Sequence, residues 1–437
     1  MTKPTVLPIW LLLFLLLTGC GTTSYQFATA EQVRLENTTN KTDINNLRRC
    51  RNSAHYIPDT SQLYLYPERT VKINIHFVNN TDRTANFPDE EQARQFALQM
   101  VADANRYLRD NQPMHLPVGN TTPVLPIRLQ YQITRDFEKP GDDGIYFHYT
   151  DKYFFNDHKN QRTLFNRWQY DNYGIQKQEV INVFIMPHHP DSVRSASYPK
   201  STGGVGTPHW VKLTGVYYQS QQKAGEIDGN PYYFGPWFAA RLLNHEIGHT
   251  LGLAHTWNTN DGCDDTPRHA NCWNYSDRPP CNEEVSNNVM DYNTYKNAYT
   301  PCQIGQIHYR LSADGTTQRE KLVEDWCYRQ PGMDVEIGRN DSVNWECFRE
   351  LRGNLRLKKG SHLNVYCRLS MPKNAKIIIE PGATLVVEDA TITNTCGDTW
   401  SGIEIGTNRK AEGQLVLRGN AQLQQLDHPI PQKVISE

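Results

Sequence analysis

The sequence HEIGHTLGLAH at residues 245–255 restricts the local backbone more than any other stretch of this chain. It follows PWFAARLLN, which is rich in helix-forming Ala and Leu, so a helix is expected to run into it. On that helix His245 and His249 are four residues apart and share one face, where both imidazoles can reach one ion. Gly252 comes where a helix can end in a left-handed conformation that only glycine adopts at low cost. The chain can then turn back and bring His255 to the same point.

This histidine pattern has a structural and a chemical interpretation. Two histidines and a glutamate on a surface helix can be only a solvated face, but the third histidine makes the longer motif far more specific. Three imidazoles that leave a fourth position open are typical of a catalytic zinc site rather than a closed structural one. Glu246 can reach water at that position without being a ligand. The sequence therefore predicts one zinc ion per chain, with His245, His249 and His255 as ligands.

The region around the motif resembles the metzincin metallopeptidases, whose signature is the same eleven-residue motif followed by a methionine turn. The turn here is NNVMDY, with Met290 at its centre. The sequences HTW, CDDTP (residues 263–267) and VMDY followed by TPCQIGQ are similar, within the metzincins, to the pappalysin family. The resemblance covers roughly residues 70 to 310, is specific in residues 240 to 310 and does not extend to the C-terminal β-repeat.

The resemblance implies roles for individual residues. It makes the three histidines the zinc ligands, Glu246 the general base and Met290 the hydrophobic floor beneath the metal. Tyr292 matches a tyrosine that steadies the tetrahedral intermediate in several metzincins, although a buried structural tyrosine is the alternative. Asp264 and Asp265 match a loop that carries calcium in family members, whereas an Asp pair before proline is otherwise turn chemistry.

Nine cysteines follow residue 20, and an odd number leaves one thiol without an intrachain partner. By analogy with the family, and then by completing the set, the expected pairs are Cys263–Cys281, Cys272–Cys302, Cys327–Cys347 and Cys367–Cys396. The four cysteines nearest the motif allow three pairings, so their sequence alone does not choose. Cys50 is left over. It is either a latency cysteine whose thiolate blocks the metal, as in some family precursors, or a spare structural thiol, because Arg51 replaces the usual glycine.

The N-terminus has the features of an export signal. Lys3 precedes an apolar run over residues 6–17 that is too short for a comfortable membrane span. Its end, Leu-Thr-Gly-Cys, resembles the lipobox of bacterial lipoproteins, which implies that Cys20 is lipidated and anchors the mature chain to a membrane. An ordinary secretory signal that ends near a cysteine is the alternative. The protein is expected in the cell envelope, on the cell surface or secreted.

Strand and helix patterns after residue 70 predict an α/β or α+β domain. The resemblance to the metzincins implies an α+β fold, with an α/β-type N-terminal subdomain that has a mixed sheet and the active-site helix. The stretch VKINIHFV alternates apolar and polar residues from Val71, as a half-buried strand does. Residues 90–108 carry apolar residues at helical spacing. Apolar runs at 124–133 and 180–186 indicate further strands, and the segment between them, without a readable period, is expected to be surface loop.

The last hundred residues carry a different pattern. LRLKKGSHL (355–363) and IIIEPGATL (377–385) match at an offset of 22 residues, and LVLRGNAQL (415–423) repeats them loosely. Short strands with a turn glycine at this period indicate an all-β solenoid-like domain, with a small β-sandwich as the alternative. The expected domains are a signal peptide (1–19), a linker or pro-segment (20–65), a zinc peptidase domain (66–330) and an accessory β-solenoid (335–437).

Charge narrows the range of partners. The formal net charge is −2, from 45 basic and 47 acidic residues, so no basic surplus is available to follow a nucleic-acid backbone.

The expected function is a secreted or surface-anchored zinc endopeptidase that cleaves extracytoplasmic proteins or peptides. The alternative is an envelope adhesin whose β-repeat domain carries the function and whose zinc site is vestigial.

Overall fold

The structure is a computed structural model that describes most of the chain. The residues described are 22–36, 48–155, 165–196, 203–257, 261–266, 269, 272, 278–279, 281–282, 284–293 and 295–430. Among them, no helix is both long enough and apolar enough to cross a membrane. The expected signal peptide and Cys20 lie outside the described residues.

Two short strands precede an α+β region. In chain order, the elements up to residue 312 are β1 (Ser24–Phe27), β2 (Val33–Glu36), β3 (Arg69–Asn79), α1 (Glu90–Arg109), β4 (Leu129–Ile133), β5 (Ile145–Tyr149), α2 (Trp168–Tyr173), β6 (Ile181–Met186), α3 (Pro190–Arg194), β7 (Gly203–Gly206), β8 (Trp210–Thr214), α4 (Val216–Ser220), β9 (Lys223–Ile227), β10 (Asn230–Tyr233), α5 (Pro236–Thr250) and α6 (Pro301–Ser312).

A six-stranded mixed sheet organises this region. Its order is β4-β3-β6-β8-β7, with β5 also paired to β3. All neighbours are parallel except β7, which runs antiparallel to β8 at the free edge. The predicted inward side chains of β3, from Val71 to Phe77, are buried in one core with α1 and α5. The predicted α+β class with a mixed sheet is therefore confirmed.

Helix α1 forms for reasons that its sequence shows. Asp89 caps it, because its carboxylate accepts a hydrogen bond from the Gln92 backbone N–H at 3.0 Å. Two glutamates lie in its first turn and two arginines in its last turn, which suits the helix dipole. The buried face packs on the active-site helix α5, where the Asn244 side-chain amide donates to the Ala104 carbonyl at 3.1 Å.

The structure of this region differs from the sequence-based prediction in two places. The strand expected over 124–133 begins only at Leu129, because Pro126 cannot donate to a ladder and Arg128 takes a left-handed φ of 56°. The segment expected to be surface loop contains β5, which pairs with residues 75–79 of β3. Its sequence IYFHY does not show the apolar–polar alternation that predicts a strand, because aromatic residues lie on both of its faces.

The C-terminal region is a parallel β-helix of three sheets. Its strands are β11 (Val335–Ile337), β12 (Ser342–Trp345), β13 (Arg349–Glu350), β14 (Leu355–Leu357), β15 (His362–Val365), β16 (Leu369–Ser370), β17 (Lys376–Ile379), β18 (Thr384–Glu388), β19 (Thr391–Thr393), β20 (Gly402–Thr407), β21 (Gln414–Arg418) and β22 (Gln422–Leu423). Every third strand pairs in parallel, as in β11-β14-β17-β20. Leu355 aligns with Ile377, so the 22-residue repeat and the solenoid are confirmed.

The third sequence repeat lies in a different sheet of this β-helix from the first two. Residues 355–357 and 377–379 belong to the first sheet, but Leu415 aligns with Leu385 in the second sheet. The spacing between coils grows from 20 residues (Val335 to Leu355) to 30 (Leu385 to Leu415). A repeat of fixed length therefore misaligns the last coil with the earlier ones.

Residues 24–36 of the segment expected to be a linker are part of the β-helix. Strand β1 pairs antiparallel with β20, and β2 pairs in parallel with β21, so residues 24–36 extend two of the three sheets. Ala28 lies in the β-helix core. The sequence offered no local signal, because these strands are short and exposed and their partners lie more than 370 residues away. Deleting residues 335–437 would leave these strands without partners.

The disulfide pairs expected from the sequence are all wrong. The structure pairs Cys50–Cys367, Cys263–Cys302, Cys272–Cys281 and Cys327–Cys396. Cys347 is the one free cysteine among those described, and it is buried. Cys50 is therefore not a latency cysteine, because its sulfur is bonded to Cys367 across 317 residues of sequence. Spacing cannot reveal bridges that depend on how the β-helix packs.

A buried ionic cluster joins the two regions. The Glu350 carboxylate of β13 has no exposed surface and accepts hydrogen bonds from Arg69, from Arg319 at 2.6 Å and from Arg368 at 2.7 Å. Arg69 and Arg319 come from the α+β region, whereas Arg368 comes from the β-helix. Although burial alone would raise it, the three guanidinium groups hold the pKa of Glu350 well below its usual range. Removing the carboxylate would leave buried cations uncompensated.

We expect Glu350→Gln to lower the free energy of unfolding by about 3–5 kcal/mol, the usual effect of breaking a buried ion pair. Because the folded-state pKa lies below the unfolded one, this stabilisation is present above the unfolded-state pKa of about 4.3 and is lost as pH falls through the folded-state pKa. Urea denaturation at neutral pH measures the change. The control is Glu336→Gln, whose exposed carboxylate pairs with Lys358 and should contribute less than about 1 kcal/mol. Equal effects of the two variants would contradict this account.

Candidate metal centre

Helix α5 places two of the three histidines. Pro236 begins the helix, where its missing N–H costs nothing, and the helix runs to Thr250. His245 and His249 lie one turn apart on it, and His245 is buried. The backbone N–H of Leu251 donates to Ile247 at 2.8 Å and that of Gly252 donates to His249 at 2.9 Å, which ends the helix.

A left-handed turn then returns the chain. Gly252 has a φ of 93°, as its sequence position predicted. The turn brings the Nε2 atom of His255 to 3.0 Å from that of His249 and 3.3 Å from that of His245. Three ligand nitrogens from two elements therefore converge on one point.

Contacts on the far side of the rings fix their orientation. The His245 Nδ1 atom lies 2.6 Å from the Val289 carbonyl oxygen, and the His249 Nδ1 atom lies 2.9 Å from that of Leu253. An Nδ1–H that donates to a carbonyl leaves the Nε2 lone pair free for a metal. The ring of His255 is held differently, because it stacks on Trp257 with the ring centroids 4.1 Å apart.

The three imidazoles fit a zinc ion. Burial lowers the pKa of each ring, to about 4 for His255, so the rings are neutral and their nitrogens are available as ligands. The other two clusters of potential ligands among the described residues contain cysteines that are bonded in disulfides. The donor set therefore suits one zinc ion per chain.

Glu246 follows the first histidine on the same helix. Its side chain is buried, and the backbone N–H of Gly206 on edge strand β7 donates to it. Burial raises the pKa of the Glu246 carboxyl to about 8, and the Lys296 ammonium and the Gly206 hydrogen bond oppose that rise. A dication at the three imidazoles would oppose it further. A carboxyl with a raised pKa in a cleft is suited to proton transfer.

Met290 and Tyr292 lie where a methionine turn would place them. Met290 is fully buried, and its sulfur packs on Gly248 of α5, where a Cβ would lie 2.5 Å from it. The ring of Tyr292 lies 4.9 Å from that of His255 and is 45% exposed. Its exposure at the mouth of the cleft argues against a buried structural tyrosine.

The acidic loop after the motif is tied by its own hydrogen bonds. Asp265 accepts from the Cys302 backbone N–H at 2.9 Å, and Asp261 accepts from the Thr266 hydroxyl at 2.6 Å. Asp264 is exposed. These contacts account for the turn in the described part of the loop, and the calcium ion that the resemblance implied stays a prediction.

Sequence reasoning assigned no role to three residues at this centre. Gly204 of β7 abuts Glu246, Trp257 stacks on a ligand, and the charge of Lys296 acts on Glu246. The pair of glycines in GGVG signals a close backbone approach in a strand. No signal marks Lys296, because its place depends on how a loop closes.

The fold and the site together define a metzincin-type zinc metallopeptidase. Residues 169–312, about a third of the chain, match the peptidase family model described as "Pregnancy-associated plasma protein-A". That stretch contains α5, the three histidines and the methionine turn. Residues 169–312 are thus similar to the pappalysin family, and this match together with the histidine site supports a zinc metallopeptidase.

Two solved structures are similar to the chain. One is "Mirolysin in complex with compound 9", with 16% identity and a TM-score of 0.40, covering 59% of this chain and 97% of that chain. The other is Tannerella forsythia mature mirolysin in complex with a cleaved peptide, with 15% identity and a TM-score of 0.38, covering 59% and 96%. No curated protein matches the sequence. The assignment rests on the family match and on the residues of the site.

We expect Gly204→Ala to impair peptide cleavage without loss of zinc. A Cβ there would lie 2.4 Å from the Glu246 Oε1 atom, so the carboxylate must move. Misplacing a reacting group by about 1 Å costs about 100-fold in rate. The measurement is kcat/KM together with zinc content.

Gly203→Ala is the matched control, since its Cβ would meet only the Thr214 Cγ2 atom at 3.9 Å. It should cleave like the wild type. Equal activity of the two variants would show that Gly204 does not position Glu246.

Proposed function

We propose that this protein hydrolyses peptide bonds of extracytoplasmic proteins or peptides, with His245, His249 and His255 as zinc ligands and Glu246 as general base. The convergence of three Nε2 atoms beside a buried carboxyl carries the proposal. A vestigial or purely structural zinc site, as in the adhesin alternative, needs ligands but no base. Glu246 therefore favours catalysis.

The roles of the residues follow from their positions. A zinc ion at the three imidazoles would polarise the peptide carbonyl and lower the pKa of water. Glu246 accepts the proton of the attacking water and passes it to the leaving amine. Tyr292, exposed at the mouth of the cleft, is placed to donate a hydrogen bond to the oxyanion of the tetrahedral intermediate.

Strand β7 offers a binding surface for the substrate backbone. It lies at the free edge of the sheet, and Gly204 and Gly206 on it contact Glu246. An edge strand binds an extended peptide through main-chain hydrogen bonds. A substrate paired there would run past the general base, which suits cleavage within a chain.

Export is proposed on two grounds. The N-terminal signal ends in a lipobox-like sequence, which makes Cys20 the proposed lipid anchor, and four disulfides join eight of the nine described cysteines. Disulfides persist outside the cytoplasm. We therefore propose an envelope or surface location.

We expect Glu246→Gln to retain one zinc per chain and to lower kcat/KM by about 10²–10⁴-fold, because the amide cannot accept the proton. Cleavage of a mixed peptide library, read by mass spectrometry with and without a zinc chelator, measures this. Glu226→Gln, an exposed change on β9, is the control and should cleave normally. Full activity of Glu246→Gln would refute the assignment of the base.

A further inference from the structure

The loop between Met290 and α6 holds a lysine in an unusual backbone conformation. Lys296 has a φ of 39°, in the left-handed region that glycine or asparagine would adopt at lower cost. Strain of this kind is found where the surrounding structure enforces it, often beside active sites. The side chain of Lys296 is therefore expected to contribute something that glycine cannot.

The loop is closed, so Lys296 has a fixed position. The Val289 N–H donates to the Ala298 carbonyl and the Asn297 N–H to the Asn287 carbonyl, both at 3.0 Å. The Lys296 N–H donates to the Asn293 side chain at 2.7 Å. These bonds tie the loop to the methionine turn, which the His245 imidazole also contacts through Val289.

The Lys296 ammonium lies among the charges of the catalytic cleft. It is within electrostatic range of His245, Glu246, Asp291 and Arg241. Burial lowers the pKa of its amine to about 8, so most of it is protonated at neutral pH. One ammonium proton is donated to the Asn293 carbonyl, and an ammonium has three.

The nearby carboxylates have other partners. Asp291 is fully buried and accepts from the Thr256 and Ser286 hydroxyls, and Glu246 accepts from Gly206. The Lys296 ammonium beside the metal centre can therefore donate to an anion of the substrate.

We propose that Lys296 binds a carboxylate of the substrate next to the scissile bond, so that the enzyme prefers Asp or Glu there. This inference rests on the proposed peptidase function. The carboxylate can come from a side chain or from the C-terminus of a peptide. The opposing view is that Lys296 only closes its loop.

The test compares peptides that differ at one position beside the scissile bond. Peptides with Glu, Gln or Arg there are amidated at the C-terminus, and a further Gln peptide carries a free C-terminal carboxylate. We expect kcat/KM for Glu over Gln of about tenfold or more in the wild type, the effect of one charge-assisted hydrogen bond. Preference for the free-acid Gln peptide alone would overturn the side-chain assignment and indicate a C-terminal carboxylate.

Variants separate recognition from loop closure. Lys296→Met should remove the Glu-over-Gln ratio, Lys296→Glu should shift the preference to Arg, and Lys296→Arg should preserve it. Lys359→Met, an exposed change on the β-helix, should leave the ratio unchanged. If Lys296 only closed the loop, its variants would lower cleavage of both peptides equally, and the unchanged ratio would overturn the proposal.

A binding measurement keeps the inference separate from catalysis. Fluorescence anisotropy of labelled Glu and Gln peptides on the zinc-loaded Glu246→Gln variant needs no turnover. Tighter binding of the Glu peptide than of the Gln peptide, lost in Lys296→Met, would support the proposal. This holds even if the wild type cleaved no peptide, because absence of cleavage would refute only the peptidase function. Equal binding of the two peptides would overturn the proposal. If a Lys296 variant does not fold, the kcat/KM ratio of the Glu to the Gln peptide in the wild type is the test, and a ratio of one would overturn the proposal.

Discussion

The left-handed turn at Gly252 is the constraint on which the site depends. Two histidines on one helix can reach a common point from their spacing alone, but a third must come from chain that has left the helix. The φ of 93° reverses the chain within three residues and brings His255 to within 3.3 Å of both partners. The Arg310 side chain packs 3.1 Å from where a Cβ of residue 252 would be, so the turn is enclosed as well as left-handed. Any other residue would meet both obstacles.

The features that could be predicted from the sequence are those that depend on residues close together in the chain. The ligand histidines, the helix end and the 22-residue repeat could be predicted because each follows from the spacing of neighbours. The disulfides, strands β1 and β2 and the place of Lys296 could not, because each depends on chain packed from far away. Strand β5 fails for another reason, since a strand with large side chains on both faces has no alternation to detect.

The β-helix is better understood as part of the peptidase than as an accessory. Its Glu350 is held by arginines from both regions, and the Cys50–Cys367 and Cys327–Cys396 bridges tie it to chain on either side of the catalytic domain. Three independent links of this kind oppose a hinge between the two regions. A deletion would therefore test folding before it tested binding.

The same links bear on latency and anchoring. A cysteine switch requires a thiolate at the metal and a segment that can be removed, whereas Cys50 is bonded to Cys367 and residues 24–36 complete two sheets of the β-helix. Removing that segment would expose the ladder edges of β20 and β21, which is costly for a sheet. The folded state thus favours keeping the N-terminal segment. A lipid anchor at Cys20 would then remain joined to the active enzyme, so the proposed anchoring and the proposed activity are compatible.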